Sequence, residues 1–334
     1  MINKTTILVL LLFFGLKSRS QDYALTQFYN MPLTLNPAYT GLMDQYVRIS
    51  SVYKTQWRKF APYYTYGASV DGAIIDSKEG GGDFYGLGLS AIFDQPDSSV
   101  SQSTVSFSFA YHKQLKEIPR HYLIAGASMS GGQRMLNNNS LWYGTYWEEN
   151  NNYDPIMTSD FENISIVDFC AGIMYSLERA DKYSLNAGVA ISHIAKPNLS
   201  FLSGSKDLLY RKLSVHLNAN EILLEVDNRN HAWGIAPKFL AEFQGKAQRY
   251  CFGSLFKYIM NLTGGVSAAG GVMYNASSSK DNSVSGKSIS MLFQFEFNNV
   301  FFGYSHDFNV INFKNLTGEV HSNELSLIIN FTNF

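Results

Sequence analysis

The sequence predicts an all-β fold: a closed antiparallel transmembrane β-barrel of about 14 strands in a bacterial outer membrane. Three observations support this prediction. The chain begins with a leader typical of exported precursors, its composition is poor in charge and rich in aromatic residues, and apolar and polar residues alternate through most of its length. The leader indicates export, the composition suits a wall that faces lipid, and the alternation gives each strand two different faces.

The first twenty residues have the features of a cleaved signal peptide. Lys4 precedes an apolar run over residues 7–16, and a short serine-containing site over residues 18–20 follows it. This run is too short to cross a hydrocarbon layer as a helix, which takes about 20 residues. The predicted division of the chain is therefore a signal peptide over residues 1–20, an N-terminal periplasmic or lumen segment over residues 21–44, and the barrel over residues 45–334.

The composition narrows the class of protein. Charged residues make up 16 % of the chain and aromatic residues 15 %, whereas soluble domains average about 25 % charged residues. Because the sequence has no long apolar helix, the low charge favours a barrel that turns apolar side chains toward lipid. The net charge of -1 argues against a nucleic-acid-binding surface. A large soluble β-sandwich or β-helix remains the alternative fold.

Strand length favours the barrel over the sandwich. In the strand near residue 85, Tyr85, Leu87 and Leu89 share one face while Gly86 and Gly88 share the other. Such strands begin near residues 45, 62, 83, 100, 120, 163, 181, 211, 234, 249, 263, 286, 299 and 320. Most are about 10 to 15 residues long, which suits tilted membrane strands, whereas soluble strands average about 5 to 6 residues.

The even number of strands predicts that both termini lie on the periplasmic side of the outer membrane. Every odd-numbered connection should then face the outside and be the longer kind. The fifth connection, about residues 133–162, and the seventh, about residues 195–210, are long and polar. Even-numbered connections, at residues 178–181, 260–262 and 298–299, are short and rich in turn-forming residues.

No pattern in the sequence indicates an enzyme. The 7 histidines are scattered, without a pair at helical or zinc-ligand spacing, and Gly-x-Ser-x-Gly, Walker and His-Glu-x-x-His motifs are absent from the sequence. We therefore expect no catalytic residue, no cofactor and no metal. Arg48, Lys54 and Asp168 alternate onto the inward face, where barrel walls commonly carry paired charges.

The fifth connection contains a cluster of four aromatic residues, Trp142, Tyr143, Tyr146 and Trp147, flanked by two asparagine runs. Tyrosine and tryptophan are enriched in the residues that dominate binding energy at interfaces. These four residues are therefore the candidate partner-binding site. A second interpretation, in which they fold back and plug the mouth of the barrel, stays open.

The residues around the first strand resemble the opening of the PorP/SprF family. Its members open with a Gln-Phe/Tyr stretch, an Asn-Pro-Ala-x-x-Gly turn and a Tyr-Arg-x-Gln-Trp strand. The matching segments here are Gln27-Phe28-Tyr29, Asn36-Pro37-Ala38-Tyr39-Thr40-Gly41 and Tyr53-Lys54-Thr55-Gln56-Trp57, with Lys54 where arginine is usual. The residues that carry the motif are Asn36, Pro37, Gly41, Gln56 and Trp57.

The resemblance implies an outer-membrane protein of the type IX secretion and gliding machinery. Such a protein supports the export or cell-surface attachment of a partner adhesin through the C-terminal domain of that adhesin. The implied partners are this secreted surface protein and periplasmic secretion-ring components. The predicted barrel would also contact outer-membrane lipid, and the net charge already argues against nucleic acid as a partner. Two other functions stay open. One is a channel for small or hydrophobic solutes, because small inward residues leave space in the lumen; examples are Gly86, Gly88, Ser90 and Ser106. The other is an outer-membrane lipase, for which the sequence shows no Ser-His pair.

Overall fold

Fourteen antiparallel strands form one closed barrel, in which each strand pairs with its neighbours in sequence and the first closes on the last. The computed structural model describes residues 22–43, 45–57, 62–74, 82–115, 120–137, 163–179, 182–226, 231–261, 265–279, 285–310 and 321–332. The predicted fold class and the predicted number of strands are confirmed.

The strands are between 10 and 16 residues long. They are β1 (Val47–Gln56), β2 (Tyr63–Ala73), β3 (Phe84–Gln95), β4 (Val100–Gln114), β5 (His121–Leu136), β6 (Ile164–Arg179), β7 (Tyr183–Ser192), β8 (Lys212–Val226), β9 (His231–Gln244), β10 (Ala247–Asn261), β11 (Val266–Ser279), β12 (Ser285–Phe297), β13 (Val300–Asn309) and β14 (His321–Phe331). Every strand begins within three residues of its predicted start.

Alternation along each strand separates an outer face from an inner one. On β3, the side chains of Tyr85, Leu87 and Leu89 are exposed on the outside, whereas Gly86 and Gly88 are buried and face the lumen. The outer face of the barrel is therefore an apolar surface that a bilayer can cover. Within the described ranges, no helix is long and apolar enough to cross a membrane.

The two ends of the barrel differ in their connections. The near end is where β1 begins and β14 ends, and the far end is where β1 ends and β14 begins. The long connections after β5 and β7 both start from the far end, as predicted. The expected sorting by length is wrong in several places. The ninth connection is a tight turn at Gly245 and Lys246, the third has only residues 96–99, and the second, at the near end, runs over residues 74–83. A tight turn is possible there because Gly245 adopts a positive φ of 58°.

Residues 22–43, the lumen segment, cross the inside of the barrel from the far end to the near end. Asp22 lies 2.6 Å from the Nζ atom of Lys212, the first residue of β8 at the far end. The backbone N–H of Gly41 donates to Asp71 at 2.8 Å, close to the near-end limit of β2. The described chain therefore starts at the opposite end of the barrel from Phe331, where β14 ends. The prediction that both termini lie on the same side is wrong for the described chain, because the lumen segment crosses the barrel before β1 begins.

The lumen segment is a series of short turns. It contains the 3-10 turns Phe28–Asn30 and Pro37–Tyr39 and one four-residue helical turn, Pro32–Leu35. Proline stands first in two of these turns, where its fixed φ suits a helical start and its missing N–H costs nothing. The segment therefore bends repeatedly and presents side chains to several parts of the wall.

Apolar packing fills much of the lumen. Phe28, Leu35 and Tyr39 of the lumen segment belong to one buried cluster that also contains inward residues of the wall. These wall residues are Ala110, Ile124, Met174, Ala236, Leu240, Cys251, Leu255, Met273 and Leu292. Burying such side chains contributes about 1.5 to 3 kcal/mol for each large one, so the segment is an integral part of the fold.

Candidate functional site in the barrel lumen

The Asn-Pro turn of the family motif lies against the inner wall of the barrel. Asn36 is fully buried, and its Oδ1 atom accepts a hydrogen bond from the backbone N–H of Ala38 at 2.9 Å. Its Nδ2 atom lies 3.0 Å from Nε2 of His216 on β8. A Cβ atom at Gly172 would lie 2.0 Å from Oδ1 of Asn36, and one at Gly126 would lie 2.4 Å from the nitrogen of Ala38. Two glycines of the wall thus allow the turn to approach closely.

Gly41 ends the motif at the near end. Its φ of 76° is one that glycine adopts without strain, and a side chain there would meet the Cα atom of Gly86 at 2.8 Å. The N–H of Gly41 donates to Asp71, which forms an ion pair with Arg48 at 2.7 Å. Arg48 also donates to the carbonyl oxygen of Tyr39 at 3.3 Å. The predicted inward position of Arg48 is confirmed, and its role is to hold the end of the lumen segment.

A buried charge cluster holds the lumen segment nearer the far end. Lys54, only 4 % exposed, lies 3.4 Å from Asp307 and 3.3 Å from Glu324. The carboxylate of Glu324 also accepts the backbone N–H groups of Thr26 at 2.7 Å and Gln27 at 2.8 Å. One lysine therefore pairs with two carboxylates. The negative charge that Lys54 does not neutralise is stabilised by the two backbone N–H groups that donate to Glu324.

His193 joins the lumen segment to the wall at the far end. Its Nδ1 atom lies 2.5 Å from Asp168 on β6, and its Nε2 atom lies 2.8 Å from Asp22. Burial alone would lower the pKa of His193, but the charge of Asp22 and the hydrogen bonds to Asp168 and Asp22 outweigh it and raise that pKa to about 9. The inward position of Asp168 was predicted, whereas its partner was not.

We expect this attachment to weaken as the pH rises through about 9. A histidine with a raised pKa stabilises the folded state fully below its unfolded pKa of about 6.5, and this contribution is lost as the pH rises through the folded value. His193→Gln, which carries no charge, should lose this dependence. The measurement is amide hydrogen exchange at residues 22–26 between pH 7 and 10, with His121→Gln as the control. Equal pH dependence in the wild type and in His193→Gln would contradict the prediction.

A cavity of about 660 Å³ with a mixed polar and apolar lining remains beside the lumen segment at the far end. It lies between the inner face of β3 to β6 and residues 193–211, which connect β7 to β8. A smaller cavity of about 150 Å³ lies toward the near end, beside Tyr29 and Lys238. Across the described part of the chain, the two cavities share no lining residue.

The predicted site residues do not come together in one place. The Asn36-Pro37 turn and Gly41 lie in the lumen, whereas Gln56 ends β1 at the far end and Trp57 follows it. Trp142, Tyr143, Tyr146 and Trp147 lie outside the described residues. The motif therefore marks both the lumen segment and the far-end limit of β1.

Several residues that receive the lumen segment were not predicted from the sequence: Gly126, Gly172, His216, Asp307 and Glu324. The two glycines carried a usable signal, because a glycine inside a strand often marks the close approach of another backbone. The two carboxylates stand on the inward face of their strands, but their partner Lys54 is too distant in the sequence for any spacing rule to connect them.

Solved structures with a similar arrangement include outer-membrane proteins of low sequence identity. CdiB from Acinetobacter baumannii has a TM-score of 0.42 and 7 % identity, over 86 % of this chain and 60 % of the CdiB chain. The deltaS2 mutant of the TodX monoaromatic hydrocarbon channel has a TM-score of 0.47 and 11 % identity, over 90 % of this chain and 94 % of its own. A FadL homologue of Pseudomonas aeruginosa has a TM-score of 0.40 and 10 % identity, over 89 % of this chain and 93 % of the homologue. No curated protein sequence matches the chain.

The family model of the type IX secretion system membrane protein PorP/SprF matches residues 17–328. This match includes the lumen segment, with its Asn-Pro turn, and nearly all of the barrel. The barrel fold and the family together place the protein in the outer membrane. The resemblance seen in the sequence is confirmed, and the chain belongs to the PorP/SprF family of type IX secretion system membrane proteins.

Proposed function

We propose that the protein is a docking component of the type IX secretion and gliding machinery. It supports the export or cell-surface attachment of a partner adhesin, which it receives through the C-terminal domain of that adhesin. The observation that carries this proposal is the lumen segment, which crosses the barrel from end to end. An ion pair between Asp22 and Lys212 holds it at the far end, and hydrogen bonds from Lys54 to Thr26 and from Arg48 to Tyr39 hold it further along. A barrel that is filled along its axis suits a docking role better than passage of solutes.

The arrangement of the cavities supports docking over a channel. The large cavity lies at the far end and the small one toward the near end, with no lining residue in common among the described ones. Passage of a solute would require the lumen segment to leave the barrel, which would break the contacts of Asn36, Gly41 and Thr26 with the wall. We therefore keep the solute channel as the second candidate function. The proposal includes no catalytic reaction.

The proposal includes an orientation in the membrane. With the near end in the periplasm, the far-end cavity and the long connections after β5 and β7 face the cell surface. The aromatic quartet Trp142, Tyr143, Tyr146 and Trp147 belongs to the first of these connections and, in this proposal, forms part of the partner-binding surface. Periplasmic components of the secretion system would meet the near end.

Loss of the protein should release its partner from the cell surface. We expect a deletion strain to show one or a few surface proteins in the culture medium, and the wild-type chain to return them to the cells. Replacing all four quartet residues with serine should fail to return them while the barrel reaches the outer membrane at its normal level. Each aromatic residue at the centre of an interface contributes about 2 kcal/mol or more, so four replacements should abolish retention. Mass spectrometry of medium and membrane fractions measures both quantities.

Two results would contradict this prediction in different ways. Unchanged retention together with higher conductance of the quartet variant in planar bilayers would identify the aromatic residues as a plug of the barrel. Steady open conductance of the purified wild-type protein, with no surface protein lost on deletion, would favour the channel. Affinity purification of the native protein from outer membranes, followed by mass spectrometry, identifies a docked partner, which a channel would lack.

A further inference from the structure

The two sides of the lumen are filled differently. The inward residues of β9 to β12 are large and apolar and pack beside the lumen segment: Leu240, Leu255, Met273 and Leu292. On β3, β4 and β5, three small inward residues, Ser90, Ser106 and Ser130, stand opposite one another across the strands. The space that these serines leave is the 660 Å³ cavity, which lies in the range of about 300 to 1,000 Å³ typical of ligand sites.

The serine-rich wall of this cavity offers hydrogen-bonding groups that the protein does not use. Within the described ranges, the side chains of Ser90, Gln102, Thr104 and Ser106 have no hydrogen-bond partner in the protein. Arg134 stands opposite Gln102 on the next strand, and its buried Nε atom has no hydrogen-bond partner either. Gln102, Thr104 and Ser106 stand two residues apart on β4, which is about 7 Å from one to the next, and Ser90 on β3 and Arg134 on β5 lie one strand away, about 4.8 Å to either side. These groups therefore form a ladder of donors and acceptors.

The charges around the cavity do not favour an anionic ligand. Arg134 interacts electrostatically with Asp207 and Asp94, which offset its charge. His193 is already held by Asp168 at 2.5 Å, so it offers no free positive charge. The cavity therefore lacks the excess positive charge that phosphate, sulfate or a polyanion would require.

The connection between β7 and β8 brings three leucines, Leu199, Leu202 and Leu209, into the lining of the cavity, beside the polar residues Ser200 and Asp207. Leu199 and Leu209, from the connection between β7 and β8, form a hydrophobic cluster with Ile166 of β6. The aromatic rings in the lining include those of Tyr23, Tyr63 and Phe201. The ring of Phe201 is covered by the guanidinium group of Arg134, 5.2 Å from its centroid, and Tyr23 packs against the buried cluster around Met31. An extended peptide fits this lining, because successive side chains point to opposite faces and one face can be apolar while the other is polar.

We propose that the far-end cavity binds an extended, uncharged peptide segment in which apolar and polar residues alternate. The ladder of Ser90, Ser106 and Gln102 contacts the polar face and the backbone of this segment, and Leu199 and Leu209 contact its apolar face. The inference rests on the proposed function, since the segment would belong to the secreted partner. It adds the site and the chemistry by which the partner is held.

The test uses the full-length protein in detergent micelles and a displayed library of random nonapeptides. Ser106→Phe fills the cavity from the middle of its wall, whereas Val105→Phe places the same ring on the outer face, where Val105 is 57 % exposed. We expect the recovered peptides to be uncharged and alternating. In fluorescence anisotropy they should bind the wild type and Val105→Phe alike, and Ser106→Phe at least tenfold more weakly. Arg134→Ala, which leaves the cavity open, should also weaken binding and serves if Ser106→Phe fails to fold.

Three results would overturn the proposal. Failure to enrich any peptide on the wild type over Ser106→Phe and Arg134→Ala is the first, and a charged consensus is the second. The third is binding of neutral oligosaccharides that Ser106→Phe abolishes, which would assign the cavity to a glycan. If the deletion strain loses a surface protein that the Ser106→Phe strain retains, the docking function stands and this site does not. If peptides bind as expected and deletion releases nothing, the site stands and the docking function does not.

Discussion

Replacing Gly126 with valine should release the lumen segment from the wall while the barrel remains closed. The first added carbon would lie 2.4 Å from the nitrogen of Ala38 and 2.5 Å from the carbonyl carbon of Pro37, which is closer than packed atoms approach. The strand itself is hydrogen-bonded on both sides, to β4 and to β6, so it yields less readily than the turn. Valine is also a favourable residue in strands, so the wall should tolerate it.

The released segment has two measurable consequences. Limited proteolysis should cut the chain within residues 22–43, and the purified protein should conduct ions in planar bilayers, because the lumen is no longer filled. Gly131→Val is the matched control, since a Cβ atom at Gly131 on the same strand meets nothing within 4 Å. It should remain protected and closed. A Gly126→Val protein that is equally protected and closed would show that the turn is not held by its close fit to the wall.

Replacing Lys54 with methionine should lower the free energy of unfolding by about 3 to 5 kcal/mol, the usual cost of removing one partner from a buried ion pair. Methionine fills a similar volume without charge. Asp307 and Glu324 would then be two buried carboxylates without a lysine. The hydrogen bond from the backbone N–H of Thr26 to Glu324 would remain, but it would not neutralise either charge.

Urea unfolding of the protein refolded into lipid vesicles measures this loss. Lys257→Met is the matched control, because Lys257 lies 2.8 Å from Glu296 but the two side chains are 36 % and 33 % exposed. Breaking such a pair should cost less than about 1 kcal/mol. Addition of Glu324→Gln to Lys54→Met should restore part of the stability. Equal losses from the two lysine replacements would mean that water reaches the Lys54 cluster and screens it.

The wall of the barrel could be predicted from local patterns. Alternation with a period of two decides which side chains face lipid and which face the lumen, so the inward positions of Arg48, Lys54 and Asp168 followed from neighbouring residues alone. Strand length and the even number of strands are likewise properties of short segments. The lengths of the connections were predicted less well. Strand parity predicts a long ninth connection, whereas the positive φ of Gly245 allows a tight turn there.

The contents of the lumen were decided only by the tertiary structure. The composition of residues 21–44 allowed either a periplasmic position or the lumen, and the choice depends on wall residues that accept the segment far along the chain. The backbone N–H of Thr26, for example, meets Glu324 across a sequence separation of 298 residues, and Asn36 meets His216 across 180. By itself the sequence determined the number of strands and the faces of the wall, because these depend on side-chain order within one strand. The path of the lumen segment and the far-end cavity appear only when closure of the barrel sets these distant strands around a common axis.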